Sequence, residues 1–340
     1  MMRDGAPGNG ASAVMRLLAS RRWRIWLLYA VVASILIALA PNFATRLNQI
    51  AILKATSTHL PSMIGFSLVL IVGQLDLSFA AVLTLGAMLC IGLQPALGWA
   101  GSTACAIAVG ALIGLANGVL VVKARISSFI VTLGTMTMVQ GVVNLYSKGG
   151  TLSLNDFTMA DWLDPMSLLA PRVMICVALV LVAEVVLQRT PLGRGLFLLG
   201  GNSRAAWFSG LNVDLTVILA FVLSGALSAA GGVLFAMSLS SANPAMGTGS
   251  LMLVIASVII GGASMNGGRG SIVQGAVAVL VLVTLTNGMS AMGAGFEVQL
   301  VASGVVLAVT VLLDAAVERR RDRRRGARAY LLRELESAGA

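Results

Sequence analysis

Few side chains in this 340-residue chain have the type and spacing for chemistry. His59 is the only histidine, and the three cysteines, Cys90, Cys105 and Cys176, lie in apolar runs without a CxxC spacing. A zinc or haem centre built from His and Cys is thereby almost excluded, and small buried thiols are the simpler reading. No GxxxxGK[ST] segment occurs, so the chain has no P-loop of its own. Neither a Ser/His pair nor paired catalytic carboxylates stand out within an apolar stretch, and an intramembrane enzyme has little support. What remains is a handful of acids inside or beside long uncharged runs. Asp76, in Gly73-Gln74-Leu75-Asp76-Leu77-Ser78, is placed to open a helix: a carboxylate in or before the first turn favours the positive helix end, and Ser78 can cap as well. That structural role outweighs a substrate or proton role. Glu184 and Asp314 are expected to snorkel toward Arg189 and the Arg-rich tail, and Glu297 to start the last helix. No pair of intramembrane acids forms a proton relay, which counts against a proton-coupled carrier.

The elements that must hold these residues follow from composition. Hydrophobic residues make up 58% of the chain and charged ones 11%, against about 25% charged in a soluble domain. No Asp, Glu, Lys or Arg occurs in 25–45, 55–75, 77–122, 126–147, 215–268 or 270–296. About 20 apolar residues cross the hydrocarbon core as a helix, so 77–122 and 215–268 each accommodate two crossings. A closed barrel would show short alternating segments instead. The expected fold is an all-α, polytopic membrane protein with about ten helices, near 25–41, 51–72, 77–94, 98–122, 127–147, 170–188, 216–238, 251–265, 271–288 and 296–314. Gly110, Gly114 and Gly118, four apart on one helix face, point to tight helix packing.

The formal charge of +10 looks at first like a nucleic-acid footprint, but most of the excess sits in residues 1–24 and 315–340. Placing both termini in the cytoplasm puts 19 of the 23 bases on that side and leaves Arg46, Lys54, Lys148 and Arg172 outside. The charge thus records insertion orientation, and no nucleic-acid partner is expected. The Arg-rich tail would lie against anionic headgroups, each base contributing about 1 kcal/mol. The organisation is a basic N-terminus (1–24), a transmembrane domain (25–314) and a basic tail (315–340). The first apolar stretch reads as an uncleaved helix rather than a signal, because its polar lead is long and Pro41 would follow the cut. The outer loop, 148–169, carries Asp156, Asp161 and Asp164 with Phe157 and Trp162, an interfacial or partner-docking surface. The inner loop, 189–215, is too short for a catalytic domain.

Four blocks then carry a resemblance: GFSLVLIVGQLDLS at 65–78, SFIVTLGTMTMVQG at 128–141, TPLGRGLFLLGGNSRAAWFSGLNV at 190–213 and GGASMNGGRGS at 261–271. In order and spacing the chain resembles, over about residues 48–314, the permease subunits of ABC importers for ribose, xylose, arabinose and related sugars. The resemblance implies a bacterial inner-membrane subunit for import of a monosaccharide or related polyol. Its partners would be a second permease subunit, with a homodimer the more common arrangement and a heterodimer the alternative, cytoplasmic ATP-binding cassettes and a periplasmic sugar-binding protein. ATP and Mg would sit on the partner ATPase, with no cofactor on this chain. The segment Gly201, Asn202, Ser203, Arg204, Ala205, Ala206, Trp207, Phe208, Ser209 and Gly210 would contain the coupling helix that docks on the ATPase. Asn202 or Ser203 could cap it, Ala205 and Ala206 permit close approach, and Trp207 and Phe208 offer apolar anchors. Asp76, Ser78, Phe129, Thr132 and Thr135 are the candidates for the translocation path or its helix turns. Departures from the family pattern are Arg204, where Glu is frequent, Gln74 and Leu75 in place of Gly and Ile, and Leu251 and Leu253, where acids are frequent. A secondary carrier or channel for a small polar solute is the alternative.

Overall fold

The long uncharged runs leave the backbone no solvent to bond with inside a bilayer, and a helix satisfies its amides within one segment. The computed structural model describes residues 21–312 apart from 41, 296, 307, 310 and 311. The expected cytoplasmic placement of 1–20 and of the tail, and the snorkelling of Asp314, lie outside the described residues. Helices α1 (Arg21–Leu39) and α2 (Arg46–Ile71) come first, the second opened by Thr45, whose hydroxyl accepts from the Asn48 amide. Next is α3 (Phe79–Lys123), whose 45 residues carry a break at Gly98, φ +64°, three residues after Pro95. A straight helix of that length would run about 68 Å against roughly 30 Å of hydrocarbon. The kink therefore separates two crossings, as the expected spans 77–94 and 98–122 require, and proline with glycine is a sufficient cause.

After α4 (Ser128–Ser147) the 148–169 loop forms β1 (Leu152–Ser153) and α5 (Thr158–Leu163); β1 pairs antiparallel with β2 (Ser241–Ala242). The chain continues through α6 (Pro171–Arg189), α7 (Pro191–Gly201), α8 (Ser203–Phe208), α9 (Val213–Leu239), α10 (Met246–Ile260) and α11 (Ile272–Ala291). A second compact unit begins at Ala294 and holds α12 (Glu297–Val306). Every expected span coincides with a helix, but α10 lies five residues earlier than 251–265 because Gly262, φ +95°, ends it. The helix α7, the short α5 and the two-stranded sheet of β1 and β2 are additions the periodicity did not reveal, while α8 is the short helix expected within 201–210.

Among the described residues, α3, α4, α6, α9 and α11 are long and apolar enough to cross a membrane; α10 and α12 are shorter apolar helices. The 26-residue α2 is absent from that group because it carries Lys54, Thr56, Ser57, Thr58, Ser62 and Ser67. Packing resolves this: α2 is walled by α6, α9, α10 and α11, so its polar side chains do not face lipid. On its other side α9 lies against both halves of α3. A Cβ at Gly86 would stand 2.7 Å from the Ala229 Cα, and one at Gly110 2.6 Å from the Ala229 Cβ. The Gly110, Gly114 and Gly118 face thus meets Gly225, Phe221 and Ile218, the tight packing that its spacing predicts. Gly110→Ala should destabilise the detergent-solubilised protein by about 1–3 kcal/mol through overpacking. Gly134→Ala on α4, where a Cβ meets nothing within 4 Å, should be neutral or stabilising by up to about 1 kcal/mol. Thermal unfolding of the two variants measures the difference, and equal losses would contradict the packing account.

Candidate functional site

The turn between α2 and α3 is built around one buried carboxylate. Asp76 is 1% exposed; its Oδ1 accepts from the Ser78 amide at 3.0 Å and the Ser78 hydroxyl at 2.6 Å, and its Oδ2 accepts from the Ser224 hydroxyl of α9 at 2.7 Å. The Ser78 hydroxyl in turn accepts from Asn117 Nδ2 at 2.9 Å, and Asn117 Oδ1 accepts from Thr135 Oγ1 at 2.7 Å. Beside this chain, the Leu77 amide donates to Thr132 Oγ1 and the Leu75 amide to Ser128 Oγ, both at 3.1 Å. Asp76, Ser78, Thr132 and Thr135 therefore share one polar cluster that ties the turn to both halves of α3, to α4 and to α9. The fifth candidate, Phe129, does not join it: its side chain is exposed at the start of α4, and its neighbour Ser128 makes the contact. Asn117, Ser128 and Ser224 were missed as members. For Asn117 and Ser224 the signal was an isolated polar side chain within an apolar run, and for Ser128 a polar pair with Ser127 at a helix start; neither says what it meets.

The 189–215 loop is largely helical. Thr190 caps α7 by accepting from the Gly193 amide, and Asn202 caps α8 by accepting from the Ala205 amide at 3.1 Å. Only Ala206 of α8 is buried; Arg204 is exposed, and Trp207 and Phe208, 65% and 78% exposed, stand edge to face with centroids 5.0 Å apart. Gly210, φ +83°, turns the chain, and the Leu211 amide returns to the Ala206 carbonyl at 3.2 Å. Two neighbouring exposed aromatics beside an arginine, on a capped single-turn helix, form a compact apolar knob with a cationic edge.

Several other charged residues are held in place. Asp164 lies 3.0 Å from Lys54 Nζ and 2.8 Å from Arg172 Nη2, and the Arg172 side chain is fully buried. Two of the four bases expected outside are thus paired. In the 148–169 loop, the Asp156 carboxylate accepts from the Thr158 amide and hydroxyl and from the Trp99 indole at 3.0 Å; the Thr158 bonds foremost hold it below the usual carboxylate range. Gln94 donates to the Asp156 carbonyl at 3.2 Å, so this loop grips both sides of the Gly98 kink. Glu184 corrects an expectation. It does not snorkel toward Arg189 but reaches α11, where Oε2 accepts from the Ile272 amide at 2.6 Å and Oε1 from the Ser271 hydroxyl at 3.0 Å. Free N–H groups and the positive end of a helix outcompete a solvated arginine for a carboxylate at this depth.

The family described as "Branched-chain amino acid transport system / permease component" matches residues 50–313. The chain belongs to that family. It is 35% identical to the ribose import permease protein RbsC of Escherichia coli (strain K12), covering 84% of this chain and 90% of the relative. It is 33% identical to the L-arabinose transport system permease protein AraH of the same strain, covering 92% and 94%, and 28% identical to its D-allose transport system permease protein AlsC, covering 88% and 93%. No solved structure matches the chain. The protein is accordingly a multi-pass membrane transport component.

Removing either carboxylate tests the geometry. Asp76→Ala leaves the Ser78 amide and the Ser78 and Ser224 hydroxyls without their acceptor, a loss of about 1–3 kcal/mol per stranded group. Asp164→Ala leaves Arg172 as a buried unpaired charge, a loss of about 3–5 kcal/mol. Both should lower the unfolding midpoint in detergent far more than Asp161→Ala, an exposed acid of the same outer loop.

Proposed function

We propose that this chain is the permease subunit of an ATP-driven ABC importer that carries a monosaccharide or related polyol across the bacterial inner membrane. The observation that supports it most is the match to ribose, arabinose and allose permeases over more than four fifths of this chain and of each relative. The family description mentions branched-chain amino acids, whereas the individual relatives are ribose, L-arabinose and D-allose permeases and favour a sugar. In this reading the subunit hydrolyses nothing itself. Two copies form the pore, with ATP and Mg held on cytoplasmic cassettes and the solute delivered by a periplasmic binding protein. Both termini and the 189–215 loop then face the cytoplasm.

The residues 201–210 take the role of the ATPase contact. The exposed Trp207 and Phe208 provide the apolar anchors, Ala206 seats α8 on the subunit, and the Asn202 cap fixes the helix before any partner arrives. Arg204, exposed at the first turn, faces outward where an acid is frequent in the resembled pattern, so the cassette surface opposite it would carry acidic rather than basic groups. Leu251 and Leu253, at positions where acids are frequent, pack partly buried against the core shared by α2, α10 and α11. The missing carboxylates are therefore replaced by packing within the subunit.

Reconstitution in liposomes with the cassette and binding-protein subunits should give uptake that requires ATP, whereas the chain alone should hydrolyse none. Arg204→Glu and Gly210→Trp should each abolish uptake while membrane insertion persists. Uptake by the chain alone, driven by an ion gradient, would replace this reading with that of a secondary carrier.

A further inference from the structure

Next to α8 three loops meet backbone on backbone. Gly267 and Gly268, with φ of +80° and +72°, press against the end of α2 and the end of α7. A Cβ at Gly267 would lie 2.8 Å from the Gly73 Cα and nitrogen and 3.0 Å from the Gly200 Cα; one at Gly268 would lie 2.8 Å from the Gly201 Cα and nitrogen. The Gly268 amide donates to the Ile71 carbonyl at 2.8 Å, and a Cβ at Gly200 would overlap that carbonyl. No side chain stands between the three strands of chain. A contact between side chains can yield by changing rotamer, whereas backbone atoms at van der Waals distance move together or separate.

Each arm of this joint leads to a different part of the subunit. From Gly73 the chain passes in three residues to Asp76, whose partners fix both halves of α3, α4 and α9. From Gly201 it enters α8 with its exposed Trp207 and Phe208. From Gly268 it reaches Ser271 and Ile272, where Glu184 of α6 holds the start of α11. We propose that Gly200, Gly267 and Gly268 are positioning residues for transport, passing displacement of α8 to the Asp76 turn and to the α10–α11 loop. This rests on the reading of 201–210 as the ATPase contact. A methyl group at any of the three would wedge the strands apart, so α8 would still follow its partner and, through Ala206, still touch α9, while the Asp76 turn and the start of α11 would follow α8 less closely.

The test uses the complete transporter in liposomes. In Gly200→Ala and Gly267→Ala, ATP hydrolysis should stay within about twofold of the unsubstituted protein while solute taken up per ATP falls about tenfold. Gly141→Ala, where a Cβ meets nothing within 4 Å, should keep the original ratio. Unchanged uptake per ATP in the joint variants overturns the proposal. If those variants fail to accumulate, hydrogen exchange on the unsubstituted transporter decides: ATP should change protection of 72–78 and 262–270 in step with 203–210. Change confined to 203–210 overturns the joint. Absence of any ATP-driven uptake by the unsubstituted transporter would instead reject the importer reading itself.

Discussion

The close approach of α9 to both halves of α3 is the constraint on which the rest of the subunit depends. Between helices surrounded by lipid there is no hydrophobic gain from burying one apolar side chain against another, so contact must come from packing and from hydrogen bonds. Glycines at 86, 110, 114, 225 and 232 remove the side chains that would hold the axes apart, and α9 settles between the two arms of the kinked α3. That position brings Ser224 within 2.7 Å of Asp76 and lets one carboxylate close the turn. It also gives the break at Gly98 a reason. Two crossings joined without a long loop can embrace one helix, and the outer loop holds the bend through Gln94 and Trp99 on either side of Pro95 and Gly98.

The polar cluster at Asp76 behaves as a clamp rather than as an open binding group. Both carboxylate oxygens accept hydrogen bonds, both polar atoms of the Asn117 amide are engaged, and Thr132 and Thr135 each have partners within the subunit. A solute could recruit these groups only by breaking bonds already made at low dielectric, where each is worth more than in water. Their geometry explains a fixed arrangement of helices around one turn.

The apolar spans were readable because the signal is long. Runs of 20 or more residues without charge leave little choice of structure in a bilayer, and the kink in α3 fell where Pro95 and Gly98 punctuate the run. The spacing of Gly110, Gly114 and Gly118 announced a packing face but not its partner. What stayed hidden depended on distance along the chain. Ser224 meets Asp76 across 148 positions, and Glu184 finds its partners 87 and 88 positions on, while Arg189 lies five residues away on the same helix. A local rule selected the near cation, and the tertiary fold offered free amides instead. The helix α7 was hidden for another reason: it is short, and its glycines read as loop until the cap at Thr190 is seen, whereas the neighbouring α8 starts after Asn202, one of the two caps expected for it.

The same contrast between local composition and tertiary pairing accounts for the bases expected on the outer face. Insertion responds to Lys and Arg near the ends of spans, and four of them run against the trend. Two of these, Lys54 and Arg172, share Asp164, and Arg172 is buried completely. Their charge is compensated inside the folded subunit and adds little to the field at that surface. Lys148 closes α4 in a left-handed conformation, with its amide bonded back to Leu145, and so serves a helix end where a cation is favoured. Arg46 begins α2 and is exposed. Orientation by charge and stability by pairing thus act on the same residue types at different stages. A base held by an acid or a helix end in the fold is compensated whichever side of the membrane it occupies.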